Sequence, residues 1–164
     1  MREKEQYTDH TISVLADNQP GVLSKITGLI TRRGFNVESI TTGKTIEPGI
    51  FRITIVVNGD DRSIEQIQKQ LYKLVDIVKV FPIRLKDRVA REMALIKIKL
   101  AKGEKSELFQ LINIYKAEIV DTSPGGIIIE ITGPAEKIDG FINLLPRKLI
   151  VGVARTGVVA MQKL

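Results

Sequence analysis

Cysteine is absent from the 164 residues, so disulfides, thiolate-bound zinc and cysteine nucleophiles are excluded, and a reducing compartment is the expected setting. Histidine occurs once, as His10, which removes multi-histidine metal sites. It also leaves the serine hydroxyls with a single candidate base, and that base falls on a stretch read as a strand, where histidine more often packs on a sheet. Tryptophan is missing and aromatic residues make up only 5% of the chain, too few for the stacking platforms of single-stranded nucleic-acid binders. No apolar run approaches the roughly eighteen residues of a membrane span, and the charged start Met1–Gln6 has no apolar stretch behind it. Neither a signal peptide nor a membrane anchor is expected. A glycine-rich phosphate loop is lacking as well, because Gly125-Gly126 falls in a hairpin and not between a strand and a helix.

What is present is aliphatic and charged. Apolar residues reach 43%, much of it Ile, Val and Leu, and charged residues 27%, the balance of a soluble, cytoplasmic globular protein with strands packed on helices. The net charge of +6 raises the question of a polyanionic partner. The cations are scattered, however, at Arg32-Arg33, Lys97 and Lys99, Lys102 and Lys105, and Arg147-Lys148. Several sit near predicted helix ends, where the helix dipole favours them, so no nucleic-acid partner is expected.

Periodicity gives a repeated order. His10, Ile12 and Val14 alternate as a strand, and Val22, Ile26, Leu29 and Ile30 form a helical stripe that Gly34 ends. Asn36 to Thr42 reads as a second strand, with a Glu47-Pro48-Gly49 turn before Phe51, Ile53, Ile55 and Val57 on a third. Ser63 and Gln66 have capping-box spacing ahead of a helix carrying Ile64, Ile67, Leu71 and Leu74, and Asp76 to Ile83 is a fourth strand. After a polar break at 85–91 the order returns: a strand through Ala94, Ile96, Ile98 and Leu100, a helix over Glu104–Tyr115, and strands over 119–122 and 127–132. A helix opened by Pro134 and a closing strand within 149–154 complete it. The expected architecture is therefore α+β, two ferredoxin-like βαββαβ domains in tandem, residues 1–84 and 92–164 joined by an 85–91 linker.

One loop differs between the halves. In Asp17-Asn18-Gln19-Pro20-Gly21-Val22-Leu23, Pro20 stands where a first helical residue is expected, and Gly21 leaves the first-turn amides open to an anion. The equivalent loop of the second half, Lys102-Gly103-Glu104, has no proline and carries an acid where an anion would sit. Ligand reception is therefore assigned to the first domain. No catalytic constellation appears in either.

The runs Asp17-Asn18-Gln19-Pro20-Gly21-Val22-Leu23-Ser24 and Arg33-Gly34-Phe35-Asn36-Val37-Glu38-Ser39-Ile40 resemble the ACT domain of the regulatory small subunit of acetolactate synthase (acetohydroxyacid synthase). Gln66–Val78, Val89–Lys97 with Arg91-Glu92, Ile119-Val120-Asp121 and Ala154–Met161 resemble further stretches of that subunit, so the likeness spans the chain. It implies a homodimer whose ACT domains pair edge to edge. A branched-chain amino acid, valine or else leucine or isoleucine, would bind where the loop of one protomer faces the second strand of the other. Carried over, the effector residues are Asn18, Gly21, Val22 and Leu23 on the loop and Asn36, Val37 and Ile40 on the facing strand. The amides of Gly21, Val22 and Leu23 would take the carboxylate. Asn18 and Asn36 would accept from the ammonium, and Val22, Val37 and Ile40 would line an aliphatic slot. Pro20 departs from the small polar residue many relatives carry.

The resemblance further implies a catalytic large subunit using thiamine diphosphate, Mg²⁺ and FAD, none of which this chain has a motif to bind. The rival reading is an ACT-type sensing module of a transcription regulator, weakened by the lack of a helix-turn-helix or basic ribbon beside the two domains.

Overall fold

The computed structural model describes residues 8–100 and 105–164, which fall into two compact units, the described residues up to Val89 with Val158–Leu164, and Ala90–Gly157. In the first unit β1 (Thr8–Asp17), α1 (Val22–Arg32), β2 (Asn36–Lys44), β3 (Ile50–Gly59), α2 (Asp61–Leu71) and β4 (Ile77–Ile83) follow the expected βαββαβ order. The sheet runs β2-β3-β1-β4, antiparallel at every pairing, so β2 and β4 are its edges. Alternation along β1 explains the layering. Ile12, Val14 and Ala16 are fully buried under the helices with Ile53, Ile55 and Val57 of β3, against Ile26 and Ile30 of α1 and Ile67 and Leu71 of α2.

The reverse face of this sheet is buried too, although it is polar: Thr11, Ser13 and Thr54 are each at most 2% exposed. Such hydroxyls need partners. Arg88 donates to Thr11 Oγ1, and Arg52 Nη1 donates to Ser13 Oγ at 3.1 Å. A strand that the sequence pattern did not announce runs beside this face, β9 (Val159–Gln162). The Val158 amide donates to Ser39 Oγ (3.4 Å), the Lys163 amide to the Asp87 carbonyl (2.8 Å), and Ala160 is buried.

The second unit holds most of β5 (Arg88–Lys99), then α3 (Lys105–Tyr115), β6 (Glu118–Ser123), β7 (Gly126–Gly133), α4 (Ala135–Leu144) and β8 (Ile150–Arg155). Its strand order β6-β7-β5-β8 repeats that of the first. Ile96, Ile98, Ile129 and Ile131 pack under Leu108, Ile112, Ile138 and Phe141. An ion network closes one end of the core: Arg155 donates to both carboxylate oxygens of Glu92 (2.8 and 2.6 Å) and to Asp139 (2.6 Å). The hydrogen bond to Glu92, with help from Asp139 and against desolvation, drives the Arg155 pKa further above its ordinary value.

The repeat extends below the level of elements. α1 is followed by Gly34 at φ 73° and α3 by Lys116 at φ 51°, the same left-handed stop, each amide bonded three residues back, to Thr31 and Asn113. A bulge follows at the same step, between Val37 and Ser39 in β2 and between Ile119 and Asp121 in β6.

Several details differ from the sequence expectation. The 85–91 stretch is ordered, with a 3₁₀ turn over Leu85–Asp87 and β5 starting at Arg88, because the backbone carbonyls of Lys86 and Asp87 both accept from Lys163. α2 begins at Asp61, two residues before the expected capping box, and the side chain of Ser63 lies outside the described residues. The Lys102-Gly103-Glu104 loop also lies outside them.

Candidate functional site

Pro20 does not open α1. Gln19, Pro20, Gly21 and Val22 form a turn closed by the Val22 amide on the Gln19 carbonyl (3.4 Å), with Gly21 at φ 87°, ψ −12°. Those are type II turn values, with proline at the second position and glycine at the third, and the helix starts only afterwards. Gly21 is the N-cap, without a side chain to bond the first-turn amides. The Lys25 amide returns to the Gly21 carbonyl at 3.0 Å. The amides of Leu23 and Ser24 have no acceptor among the described residues, so they face outward with the positive end of the helix.

The expected roles divide accordingly. Gly21 is exposed, and the space where a Cβ would stand is open. Leu23 is 40% exposed. Val22 is buried in the core and its amide bonds the Gln19 carbonyl within the turn. Ser24, which is not among the expected residues, also has an open amide among the described residues. The Pro-Gly pair at the centre of a type II turn was the signal that places the helix start later. Asn18 is exposed and held by its own amide on the Gly49 carbonyl (2.7 Å). The loop base is fixed by the Asp17 amide on the Asp76 carbonyl (2.9 Å), and Lys25 Nζ pairs with Asp76 Oδ2 at 2.6 Å. Lys25 is therefore neutralised locally, and attraction for an anion rests on the amides.

On β2, Asn36 is exposed with Nδ2 donating to Glu38 Oε1 (2.6 Å), and Val37 and Ile40 are half-buried against the core. In an unbroken strand two residues three apart would face opposite ways. The bulge removes the conflict, since Val37 pairs with Val57 and Ile40 with Ile55, both on the helix side. Glu38 is the extra residue.

Loop and strand lie at opposite ends of the sheet. Asp17 pairs with Ile50 of β3, whereas Val37 pairs with Val57. Seven residues of strand separate the two levels, about 23 Å at ~3.3 Å per residue. One protomer cannot bring them together. An antiparallel partner laid along the outer edge of β2 would, because it sets the start of one β2 beside the end of the other. The half-open cavity of about 580 Å³ between β9 and the β2–β3 hairpin is a different place, lined by Thr41, Lys44, Arg52, Thr54, Val159 and Met161 on the reverse face. None of the seven expected residues lines it.

Among the described residues no group of three or more His, Cys, Asp or Glu side chains could hold a metal ion, and no helix is long and apolar enough to cross a membrane.

Residues 12–79 match the family model described as AHAS small subunit-like ACT domain, and residues 91–164 the model described as small subunit of acetolactate synthase. The probable acetolactate synthase small subunit of Methanothermobacter thermautotrophicus is 47% identical over 155 residues, 94% of this chain and 92% of that one. The acetolactate synthase small subunit of Mycolicibacterium smegmatis is 37% identical over 94% of this chain and 91% of its own. The crystal structure of the acetolactate synthase small subunit from Thermotoga maritima superposes with a TM-score of 0.91 at 51% identity, covering 96% of this chain and 98% of that one.

Proposed function

Since the chain belongs to the family of acetolactate synthase small subunits, we propose that it activates a separate catalytic large subunit and restrains it when valine accumulates. The reading is carried by the first unit's geometry, in which two halves of a site occupy opposite ends of one sheet and share an open edge strand. A homodimer joined through β2 completes it. The open amides of Leu23 and Ser24 beyond Gly21 take the valine carboxylate, and Asn18 with the partner protomer's Asn36 accepts from the ammonium. The partner's Val37 and Ile40 cover the isopropyl group together with Leu23. Burying that group offers about 2 to 2.5 kcal/mol at ~0.8 per carbon, enough to select against glycine. Leucine or isoleucine in place of valine changes affinity only ~10- to 200-fold, so all three remain candidate effectors.

Residues 1–84 are thus the sensor and residues 92–164 the part assigned to the catalytic partner, with 85–91 connecting them. Thiamine diphosphate, Mg²⁺ and FAD belong to that partner, and the working compartment is the cytoplasm. Inhibition requires valine to bind two states of the complex unequally, and a coupling of about 1 to 3 kcal/mol suffices. The test is reconstitution with the large subunit: acetolactate formation should rise on adding this chain and fall again with valine. Activity indifferent to the chain would overturn the assignment, and stimulation without a valine effect would overturn the sensor.

A further inference from the structure

On the helix-free face of the first sheet, register sets Thr41 of β2, Thr54 of β3 and Ser13 of β1 side by side, with Phe81 of β4 beyond Ser13. Gly43 and Arg52 stand in the next row. Arg52 leans back toward the first row: its Nη1 donates to Ser13 Oγ, and its guanidinium lies over the Phe81 ring, 5.8 Å from the centroid. The half-buried cation is thereby held near Thr54 with most of its N–H donors uncommitted, and among the described residues it makes no ion pair. Thr54 is 2% exposed, and its hydroxyl has no hydrogen-bond partner among the described residues. A hydroxyl so deeply buried is seldom left alone. Both side chains line the half-open cavity of about 580 Å³, whose other walls include Lys44, Ile46, Val159 and Met161. Among the described residues no Asp or Glu lines it.

We propose that this cavity binds a small aliphatic carboxylate that carries no ammonium group, a second ligand on the face of β2 opposite the sensor. The Arg52 guanidinium and the Thr54 hydroxyl both donate to the ligand's carboxylate, which gives the buried hydroxyl its partner and the cation its counter-charge. Ile46, Val159 and Met161 cover the alkyl chain. The volume lies within the range of small-molecule sites. Selectivity follows from the walls. With Arg52 and Lys44 present and no carboxylate beside them, the ammonium of a free amino acid would go unpaired. Inorganic phosphate would meet the cation but leave the apolar wall in water.

Isovalerate serves as the probe, added to the full chain at saturating valine and followed by the NMR shifts of backbone amides. It should move the amides of Thr41, Gly43 and Thr54 and leave those of Leu23 and Ser24 in place. Isovaleramide, which keeps the alkyl chain without the charge, and inorganic phosphate, which has no chain, should each bind at least ~10-fold more weakly. Thr54→Val keeps the side-chain shape and removes the hydroxyl. It should cut isovalerate affinity at least ~10-fold, the scale of one hydrogen bond to a charged group, while the melting temperature holds or rises because the free chain loses no bond. A packing role alone would lower the melting temperature and spare binding. Gly43→Val, at an open position of the same face, fills the cavity and should abolish isovalerate binding. The proposal is overturned if isovalerate moves none of the three amides, if valine displaces it, if phosphate or isovaleramide binds as tightly, or if both variants fold and bind isovalerate as the unaltered chain does. Valine binding is read separately at Leu23 and Ser24, so this site and the sensor fail independently.

Discussion

Gly21 carries the residue-scale test of the sensor. Its φ of 87° is left-handed, so any side chain there bears backbone strain of about 1 to 2 kcal/mol, even though the space beside it is open. Introducing aspartate alone would mix that strain with the electrostatic effect under test. Asparagine and aspartate are nearly isosteric and both tolerate this conformation, so the informative comparison is Gly21→Asn against Gly21→Asp. Calorimetry should find valine binding weakened modestly in the first and at least ~10-fold further in the second, because a carboxylate would stand within a few ångströms of the ligand's own. Equal affinities in the two variants would remove the carboxylate from this loop. Much of this corner was legible in the residues: Pro-Gly before an aliphatic stripe announces a turn and a helix start. Which amides stay open was not, since that depends on whether Pro20 is read as the first helical residue or as the second position of a turn.

Among the elements, the ends of α1 and α3 make a natural comparison. Both helices are followed by a left-handed residue, but one stops on glycine and the other on Lys116. Relief of the strain at Lys116 is worth about 1 to 2 kcal/mol, and the looser unfolded chain that glycine brings offsets about 0.4 to 1 of it. Lys116→Gly should therefore stabilise the second unit by about 0.5 to 1 kcal/mol, read as a higher urea midpoint with unchanged slope. Gly34→Ala should destabilise the first by about 0.5 to 1 kcal/mol by the same measurement, the strain again offset in part by the unfolded chain. Period and punctuation disclosed the βαββαβ order of both halves, since Ile12-x-Val14 and Ile96-x-Ile98 alternate and the stripes of α1 and α3 recur at helical spacing. They could not disclose the paired bulges in β2 and β6. A bulge is a property of two strands in register, and Glu38 and Val120 share no residue type that marks one.

Across the whole chain, the path is interleaved: it builds β1 to β4, leaves at Val89 for the second unit, and returns as Val158–Leu164. A strand as short as Val159–Gln162, next to Arg155-Thr156-Gly157, has too little periodicity to be read from sequence. The buried polar face of the first sheet was equally hidden, because Thr11, Ser13 and Thr54 look like solvent-facing positions of half-buried strands. The return has a consequence for the sensor. β2 carries Val37 and Ile40 on its helix side, while its Ser39 hydroxyl accepts the Val158 amide on the other. Ending the chain at Gly157 removes that bond, the Lys163 bonds to the Asp87 and Lys86 carbonyls and the buried Ala160 methyl. Three hydrogen bonds, one of them from an exposed lysine, and one methyl amount to about 3 kcal/mol. The shortened chain should show a lower melting transition for the first unit with the second little changed. Valine should also bind about fivefold more weakly, since ordering a loosened β2 draws on the binding free energy. A shortened chain that melts and binds valine as the full one does would show that the returning strand holds neither the sheet nor the sensor.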